Sequence, residues 1–307
     1  MRKILIATDK PFAASAVKSI RQVVDQSGYE LRLLEGYTQK QELLEAVKEA
    51  EAIIIRSDII DAEVMAAAPN LKIVVRAGAG YDNVDLKAAT AHNVVVMNTP
   101  GQNSNAVAEL ALGMMVFQAR GRFNGKSGTE LKDKTLGIHA YGYVGKNIAR
   151  IAKGFGMKVT SFDPFVDESI MVKDQVHPVK SVDDLYAENQ YVSLNIPAND
   201  KTRNSIGFDL LSRMPKGATL VNTARKEVIC EDGLMKMFAE RQDFIYLTDV
   251  EPDCAAALKE QYPDRFFATP KKMGAQTSEA NNNAGVAAAV QIVAFFEKGD
   301  VTFQVNK

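Results

Sequence analysis

The chain has 307 residues, enough for two domains of about 150 residues that each bury a core. Lys plus Arg number 37 against 38 Asp plus Glu, a net charge of −1 that argues against a nucleic-acid binder with a basic face. Two cysteines are too few for a disulfide framework or a zinc site, and there is neither a signal peptide nor a membrane-spanning apolar stretch, so we expect a soluble, cytoplasmic protein without metal.

The first third of the chain predicts a parallel sheet covered by helices. Short β-branched apolar runs alternate with amphipathic helical stretches, and continuous apolar strands of this kind are buried on both faces. The predicted strands are Ile4–Ala7, Leu31–Leu34, Ala52–Arg56, Ile73–Arg76 and Val94–Met97, and the predicted helices include Ala13–Gln26, Gln39–Ala50 and Val84–Ala91.

A long helix and a Gly/Lys-rich link precede a second series of strands. Helix Ser104–Arg120 is apolar nearly all round, which predicts burial between domains or subunits. The link, Gly121–Lys134, is the candidate flexible arm. The chain therefore predicts two doubly wound α/β domains. The second series has strands Thr135–Ala140, Lys158–Phe162, Tyr191–Asn195, Thr219–Asn222 and Phe244–Asp249, and a final helix after Thr277 reaches Lys298.

A glycine-rich turn after one strand is the first sign of a cofactor site. Residues 136–145 read LGIHAYGYVG, a Rossmann-type G-x-G-x-x-G pattern with Ala140 in place of the first glycine. Gly142 leaves room for a pyrophosphate, and Gly145 lets helix and strand pack closely. Asp163 follows the next strand, eighteen residues after Gly145, where a carboxylate accepts from ribose hydroxyls and repels a 2′-phosphate. This pattern predicts NAD; the alternative is an ordinary βαβ unit with a solvated aspartate.

Several segments, in order along the chain, resemble the signatures of the D-2-hydroxyacid dehydrogenase family. They are Arg76–Asp85, Asn98–Pro100 with Ala108–Leu110, Leu136–Ile138, Leu220–Arg225 and Ala268–Ala280. Two further segments, Ile54–Ser57 and Gly128–Leu131, resemble the branch that oxidises 3-phosphoglycerate to 3-phosphohydroxypyruvate in serine biosynthesis.

The resemblance implies an architecture as well as an activity. A Rossmann NAD domain (residues 98–276) is expected to be inserted in a flavodoxin-like substrate domain (residues 1–97 plus 277–307), and the protein is expected to be a homodimer. Longer members of the branch carry C-terminal regulatory domains. Because this chain ends at Lys307, we expect it to lack that module and its feedback.

The resemblance also implies a catalytic set. Arg225 matches the family's catalytic arginine, whose planar fork grips a substrate carboxylate. Gly78, Ala79 and Gly80 are expected to present backbone amides to the same carboxylate. In the position of the family's histidine acid/base stands Lys272, and the three histidines of the chain lie elsewhere. A solvated surface lysine is the alternative reading.

A lysine acid/base changes the expected pH behaviour. An ammonium group donates a proton readily during reduction of a keto acid, but it must first be neutral to accept one during oxidation, so we expect oxidation to be favoured at alkaline pH. The carboxylate beside the acid/base is assigned to Glu251, with Asp253 as the alternative.

The expected substrate is anionic, so its phosphate needs cations of its own. Arg56, Ser57 and Arg76 are the candidates in the substrate half, and Lys126 and Lys132 of the link are weaker ones. The resemblance places the cofactor against Gly142, Tyr143, Val144, Gly145, Asp163, Pro197, Thr202, Thr223, Ala224, Asp249 and Gly274.

Two other functions stay open. One is reduction of hydroxypyruvate or glyoxylate by an enzyme of the same family. The other is a non-catalytic NAD-sensing regulator of the same fold. Three departures from the family pattern favour it: the acid/base position lacks a histidine, Ala140 replaces the first glycine of the turn, and the segment around Glu251 is shortened.

Overall fold

The computed structural model describes residues 1–307, which form two compact units. The first unit comprises Met1–Asn103 with Gln276–Lys307, and the second comprises Ser104–Ala275. Each unit is built on one parallel sheet, so the predicted fold class is confirmed. No helix combines the length and the apolarity that crossing a bilayer requires.

The first unit holds a five-stranded sheet with the order β2-β1-β3-β4-β5, the doubly wound order of flavodoxin-like folds. Its elements up to residue 103 are β1 (Lys3–Thr8), α1 (Ala14–Gln26), β2 (Glu30–Glu35), α2 (Lys40–Ala46), β3 (Ala52–Ile55), α3 (Ala62–Ala67), β4 (Ile73–Arg76), α4 (Leu86–Ala91) and β5 (Val95–Asn98).

Strand alternation divides the core of this unit between the two faces of the sheet. In β1, Ile4 and Ile6 pack in one buried cluster, whereas Leu5 and Ala7 pack in another. Because helices cover both faces, the strand is apolar at every one of these positions. The sheet therefore holds its carboxyl-terminal loops on a rigid base.

The second unit holds a seven-stranded sheet with the order β12-β11-β10-β9-β6-β7-β8, a Rossmann order extended by one strand. The winding reverses between β6 and β9, and ligands of such sheets bind beside the carboxyl ends of the strands at this point. Its elements are α5 (Ser104–Ala119), β6 (Thr135–His139), α6 (Tyr143–Gly154), β7 (Lys158–Phe162), α7 (Glu168–Lys173), β8 (His177–Pro178), α8 (Val182–Glu188), β9 (Tyr191–Leu194), α9 (Phe208–Leu211), β10 (Thr219–Asn222), α10 (Glu231–Glu240), β11 (Ile245–Thr248), α11 (Ala255–Gln261) and β12 (Phe266–Ala268).

The chain then returns to the first unit as α12 (Ser278–Lys298), which packs against α1. The N-terminus of α12 is capped by Thr277, whose side chain accepts a hydrogen bond from the amide of Ala280 at 3.1 Å. Its C-terminus ends at Gly299 in the left-handed conformation.

The long apolar helix α5 is buried on one side and exposed on another in the single chain. Ala108, Leu112 and Met115 pack into the core of the second unit, whereas Asn105 and Glu109 are exposed along another side. Burial of this side between subunits stays a prediction.

Two predicted helices have different limits in the structure. The helix predicted over Val84–Ala91 begins at Leu86, because the Asp85 carboxylate accepts from a first-turn amide and acts as the cap. The helix predicted over Gln39–Ala50 ends as α2 at Ala46 and continues as a single 3₁₀ turn.

Candidate active site

The turn between β6 and α6 has the form of a dinucleotide-binding loop. A Cβ atom at Gly145 would lie 2.4 Å from the carbonyl oxygen of Ala140, so only glycine lets α6 approach β6 this closely. A Cβ atom at Gly142 would meet nothing within 4 Å, which leaves open space in front of the loop. Tyr143 and Val144 open α6, and N–H groups in a first helical turn lack intrahelical acceptors. The loop therefore fits a pyrophosphate group.

Ala140 adopts the backbone conformation that the missing first glycine would supply. Its φ is +79°, in the left-handed region that side chains with a Cβ disfavour by roughly 1–2 kcal/mol. Its amide donates to the carbonyl oxygen of Phe162 at 2.9 Å, which ties the turn to the end of β7. The turn keeps its shape despite the substitution, at a cost in stability.

Asp163 lies directly after β7 and is tied to the same turn. Its Oδ2 accepts from the amide of Tyr141 at 2.7 Å, and its Oδ1 accepts from the amide of Phe165 at 2.9 Å. Because each carboxylate oxygen has two acceptor positions, both oxygens can accept a further hydrogen bond. The half-buried carboxylate is thus held beside the glycine turn with acceptor capacity left.

Two buried polar atoms at the carboxyl ends of neighbouring strands have no partner in the protein. They are Oδ1 of Asn195, after β9, and Oγ1 of Thr223, after β10. A buried polar atom without a partner costs free energy unless water or a ligand satisfies it. Thr202, which the sequence predicts to contact the cofactor, does have a partner in the protein. Its hydroxyl donates to the carbonyl oxygen of Pro197 at 2.5 Å and so closes the turn between these two residues.

Arg225 is held by an asparagine clamp and has no acidic partner. The side chain of Asn222 accepts from the amide of Ala224 at 3.0 Å and donates to the carbonyl oxygen of Arg225 at 3.0 Å. The half-buried guanidinium itself donates only to the carbonyl oxygen of Ala224, at 2.9 Å. A guanidinium without a counter-ion in this setting has donors available for a planar anion.

A buried carboxylate anchors the loop that carries Lys272. Asp249, 2% exposed, accepts through Oδ1 from the hydroxyl of Thr269 and the amide of Met273, both at 2.8 Å. Its Oδ2 accepts from the amide of Gly274 at 2.8 Å. Lys272 is exposed on this loop after β12. Since β11 lies between β10 and β12, Arg225 and Lys272 follow the same edge of the sheet.

The two candidate carboxylates near this edge have other partners. Glu251 forms an ion pair with Lys259, and Asp253 forms one with Lys226. Both carboxylates are exposed, so these pairs are surface ion pairs.

In the first unit, two of the three backbone amides predicted to bind the substrate on the loop after β4 have no acceptor within the protein. The amide of Gly78 donates to the carbonyl oxygen of Arg76 at 2.9 Å, so in this structure it is bonded within the loop. The amides of Ala79 and Gly80 have no acceptor in the protein. The side chain of Arg76 lies across Gly78, since a Cβ there would come within 1.4 Å of Nη1. One guanidinium and two amides therefore lie together on this loop.

Arg56 is largely occupied by the fold of the first unit. Its Nη1 donates to the carbonyl oxygens of Lys10 at 2.9 Å and Pro11 at 3.2 Å, and its Nη2 donates to Oδ1 of Asn281 at 2.8 Å. These bonds use three of the five N–H donors of a guanidinium. Burial lowers the pKa of Arg56 from its ordinary value. Ser57 is exposed, and its hydroxyl lies 3.3 Å from Oδ1 of Asp9.

The histidine nearest the glycine turn is half-buried. His139 ends β6, and its Nδ1 lies 3.3 Å from the hydroxyl of Tyr186. Burial lowers the pKa of His139 to about 4, so the ring is neutral at physiological pH. His92 and His177 are exposed.

Comparison with known proteins identifies the family of this chain. A model of the D-isomer specific 2-hydroxyacid dehydrogenase catalytic domain matches residues 4–306. The chain belongs to the D-isomer specific 2-hydroxyacid dehydrogenase family.

Relatives in this family have two different names. The chain is 34% identical over 309 residues to the D-3-phosphoglycerate dehydrogenase of Methanocaldococcus jannaschii, a match over 95% of the chain and 57% of that protein. It is 33% identical over 278 residues to the hydroxypyruvate reductase of Thermotoga maritima, over 84% of the chain and 88% of that protein. The chain thus spans little more than half the length of the first of these relatives.

A solved structure extends the likeness over the whole chain. The cofactor (NAD+)-bound 3-phosphoglycerate dehydrogenase of Entamoeba histolytica is 48% identical, with a TM-score of 0.88 and coverage of 100% of this chain and 99% of that one.

Two asparagines that shape loops of this fold belong to segments that resemble the family, but the sequence assigned no role to either side chain. Asn222 ends β10 and clamps the turn before Arg225, and Asn98 ends β5 beside the Ala79 loop. Their shared signal is an amide side chain at the carboxyl end of a buried parallel strand. Such a side chain can bond to the backbone of the loop that follows or adjoins it.

Proposed function

We propose that the chain catalyses the NAD-dependent oxidation of 3-phosphoglycerate to 3-phosphohydroxypyruvate and the reverse reduction. The second unit is assigned to NAD binding and the first to substrate recognition. The observation that carries the proposal is the half-buried guanidinium of Arg225, which has no acidic partner and follows the carboxyl edge of the sheet. The family and the names of two of the relatives above support the same reaction class.

The residues of the second unit fit NAD. The open space at Gly142 and the amides opening α6 suit its pyrophosphate, and Asp163 has acceptor capacity for ribose hydroxyls. The unpartnered Oγ1 of Thr223 lies at the carboxyl end of β10, where a nicotinamide ring would give it a partner. When bound, NAD supplies the acceptor for the hydride that leaves C2 of the substrate.

The chain's own residues bind the acid and move one proton. Arg225 donates two parallel hydrogen bonds to the substrate carboxylate and thereby orients C2. In the oxidation, the neutral amine of Lys272 accepts the proton of the C2 hydroxyl as the hydride leaves. In the reduction, the ammonium of Lys272 donates that proton to the carbonyl oxygen. Glu251 is proposed as the carboxylate that holds the ammonium.

The first unit contributes the donors for anionic oxygens. The amides of Ala79 and Gly80 and the guanidinium of Arg76 lie on one loop and suit a carboxylate or phosphate group. Arg56 retains two of its five N–H donors for the substrate phosphate, and Ser57 can add a hydroxyl.

The test is NADH consumption at neutral pH with 3-phosphohydroxypyruvate, using lysine neighbours as a matched pair. We expect Lys272→Ala to lower kcat by about 100-fold or more, because general acid catalysis is worth that much. Lys271→Ala, which removes an exposed neighbouring ammonium, should stay within about threefold of the unaltered protein. Arg225→Lys keeps the charge but removes the fork, and should raise KM. Equal activities of the two lysine variants would contradict the assignment of Lys272.

Hydroxypyruvate reduction is the second candidate, favoured by the match over 88% of the Thermotoga maritima hydroxypyruvate reductase. Parallel assays with hydroxypyruvate and 3-phosphohydroxypyruvate separate the two functions. A kcat/KM at least about tenfold higher for the phosphorylated substrate, reduced by Arg76→Ala, supports the first proposal. A preference for hydroxypyruvate supports the second, and NADH binding without turnover of either would indicate a regulator.

The protein is also proposed to be a homodimer, as the family resemblance implies. Helix α5 leaves one side exposed in the single chain, with Asn105 and Glu109 on it. Light scattering after gel filtration measures the mass directly, and a mass near the 33.6 kDa of one chain would contradict the proposal.

A further inference from the structure

The anion-binding loop of the first unit, defined here as Ala77–Gly80, is held from behind by the end of β5. The amide of Thr99 donates to the carbonyl oxygen of Gly78 at 3.0 Å. The side chain of Asn98 donates through Nδ2 to the carbonyl oxygen of Ala79 at 2.6 Å. Two successive carbonyl groups of the loop therefore point toward the end of β5.

Peptide geometry converts these two bonds into an orientation for two amides. In a trans peptide the N–H group points opposite to the carbonyl group of the same plane. The bond from Thr99 thus turns the amide of Ala79 away from β5, and the bond from Asn98 does the same for the amide of Gly80. Both amides have no acceptor in the protein. They are the pair assigned above to an anionic oxygen.

Of the two supports, only Asn98 acts through a side chain. A main-chain bond such as that of Thr99 forms with any residue except proline, whereas the bond to Ala79 requires an amide donor of the right length. Asn98 is itself held, because its carbonyl oxygen accepts from Nε2 of Gln291 in α12 at 3.1 Å. A carbonyl that accepts a hydrogen bond also polarises its peptide and strengthens the N–H as a donor.

We infer that Asn98 is a positioning residue for substrate binding: it orients and polarises the Ala79–Gly80 peptide so that the amide of Gly80 binds an anionic oxygen of the substrate. Asn98 does not itself touch the substrate. This inference rests on the proposed function only for the identity of the anion, since the orientation of the peptide follows from bonds within the first unit.

Kinetics provide the first test. Asn98→Ala should raise KM for 3-phosphohydroxypyruvate by about tenfold, while kcat changes by less than about threefold and the Kd for NADH stays unchanged. Asn98→Asp should raise KM further, because a carboxylate oxygen would then face the carbonyl of Ala79 and add negative charge. Asn70→Ala is the matched control: it removes an exposed asparagine that donates to the carbonyl oxygen of Lys48 at 3.3 Å in the same unit, and should leave KM unchanged.

A binding measurement separates this inference from the proposed function. In protein labelled with ¹⁵N-glycine, the amide signal of Gly80, assigned by its loss in Gly80→Ala, should shift on titration with oxalate. In Asn98→Ala the shift should require about tenfold more oxalate.

The outcomes test the role of Asn98 and the proposed reaction separately. An active enzyme whose KM is unaffected by Asn98→Ala, or a Gly80 signal that ignores oxalate, overturns the role of Asn98 and leaves the proposed reaction standing. A protein that reduces neither keto acid overturns the proposed function. In that case an oxalate shift that depends on Asn98 still supports the orientation of the loop.

Discussion

Asp249 is the residue whose alteration gives the sharpest expectation for stability. Its carboxylate is buried and accepts three hydrogen bonds, from Thr269, Met273 and Gly274, that together close the loop bearing Lys272. Asp249→Asn keeps the volume but replaces one acceptor oxygen by a donor NH₂ group. Whichever way the new amide turns, the backbone N–H of Met273 or that of Gly274 faces another donor.

The size of the effect follows from the number of bonds lost. A hydrogen bond to a charged group contributes about 1.5–3 kcal/mol, and an orphaned buried donor adds a desolvation penalty. We therefore expect Asp249→Asn to lower the free energy of unfolding by about 2–4 kcal/mol. Asp253→Asn, which removes an exposed partner of Lys226, should cost less than about 1 kcal/mol and is the matched control.

The assay is urea unfolding followed by circular dichroism, since the chain has no tryptophan. Hydrogen exchange supplies a local readout, because the amides of Met273 and Gly274 should lose protection in Asp249→Asn. The reasoning is refuted if Asp249→Asn unfolds within about 0.5 kcal/mol of the unaltered protein and both amides stay protected.

Three further outcomes are expected. Ala140→Gly should raise the free energy of unfolding by about 1 kcal/mol, because it relieves a φ of +79°, whereas Ala287→Gly within α12 should lower it by about the same amount; urea titrations of both variants check the sign. Burial lowers the pKa of His139 to about 4 from 6.5, so the unfolded state takes up the proton first and stability falls as the pH drops from 6.5 toward 4, by about 2 kcal/mol at pH 5. His139→Asn should remove this part of the acid sensitivity and His177→Asn, at an exposed site, should not; matching curves for the two would contradict the argument. Cys230 caps α10 without a side-chain hydrogen bond, and Cys230→Ser should stabilise the protein by about 1 kcal/mol, measured as a raised urea midpoint at constant slope.

The buried strands were predictable because their apolar runs are long enough to be distinctive. Ile73–Arg76, Lys158–Phe162 and Thr219–Asn222 have the limits that the sequence predicted. The two strands that were missed, β8 and β12, have two and three residues and lie at the two edges of the second sheet. An edge strand packs less and pairs on one side only, so a short one needs no β-branched run to form and leaves no pattern to read.

The predicted limits of helices depended on residues outside the apolar pattern. Asp85 stops the helix α4 from extending toward Val84, and no hydrophobic periodicity records a cap. The apolar character of α5 likewise did not indicate which of its sides the single chain covers, and Asn105 and Glu109 lie on an exposed side. Composition reports how much apolar surface a helix has, but the neighbouring elements decide where that surface is covered.

The sequence predicted which residues form the anion-binding loop, but not which of their amides lack an acceptor within the protein. Gly78, Ala79 and Gly80 look equivalent in the sequence, yet the amide of Gly78 is used within the loop and the other two are open. The hydrogen bonds that set this difference join the loop to Arg76 and to Asn98 and Thr99 at the end of β5. Such bonds depend on the register of β4 against β5, which pairs Arg76 with Asn98.

The same distinction separates the two arginines on which substrate binding depends. Both Arg56 and Arg225 follow buried parallel strands, and by sequence either suits an anion. In the folded chain, three donors of Arg56 hold the loop before α1 and the start of α12, so its alteration would disturb the fold of the first unit as well as any bound phosphate. The guanidinium of Arg225 donates only to the carbonyl oxygen of Ala224, so altering this side chain removes no ion pair from the fold. Arg225→Lys should therefore change substrate binding while leaving the unfolding free energy within about 0.5 kcal/mol, whereas Arg56→Lys should change both. If the two variants lose stability equally, Arg225 is a structural arginine and the proposed reaction loses the observation that carries it.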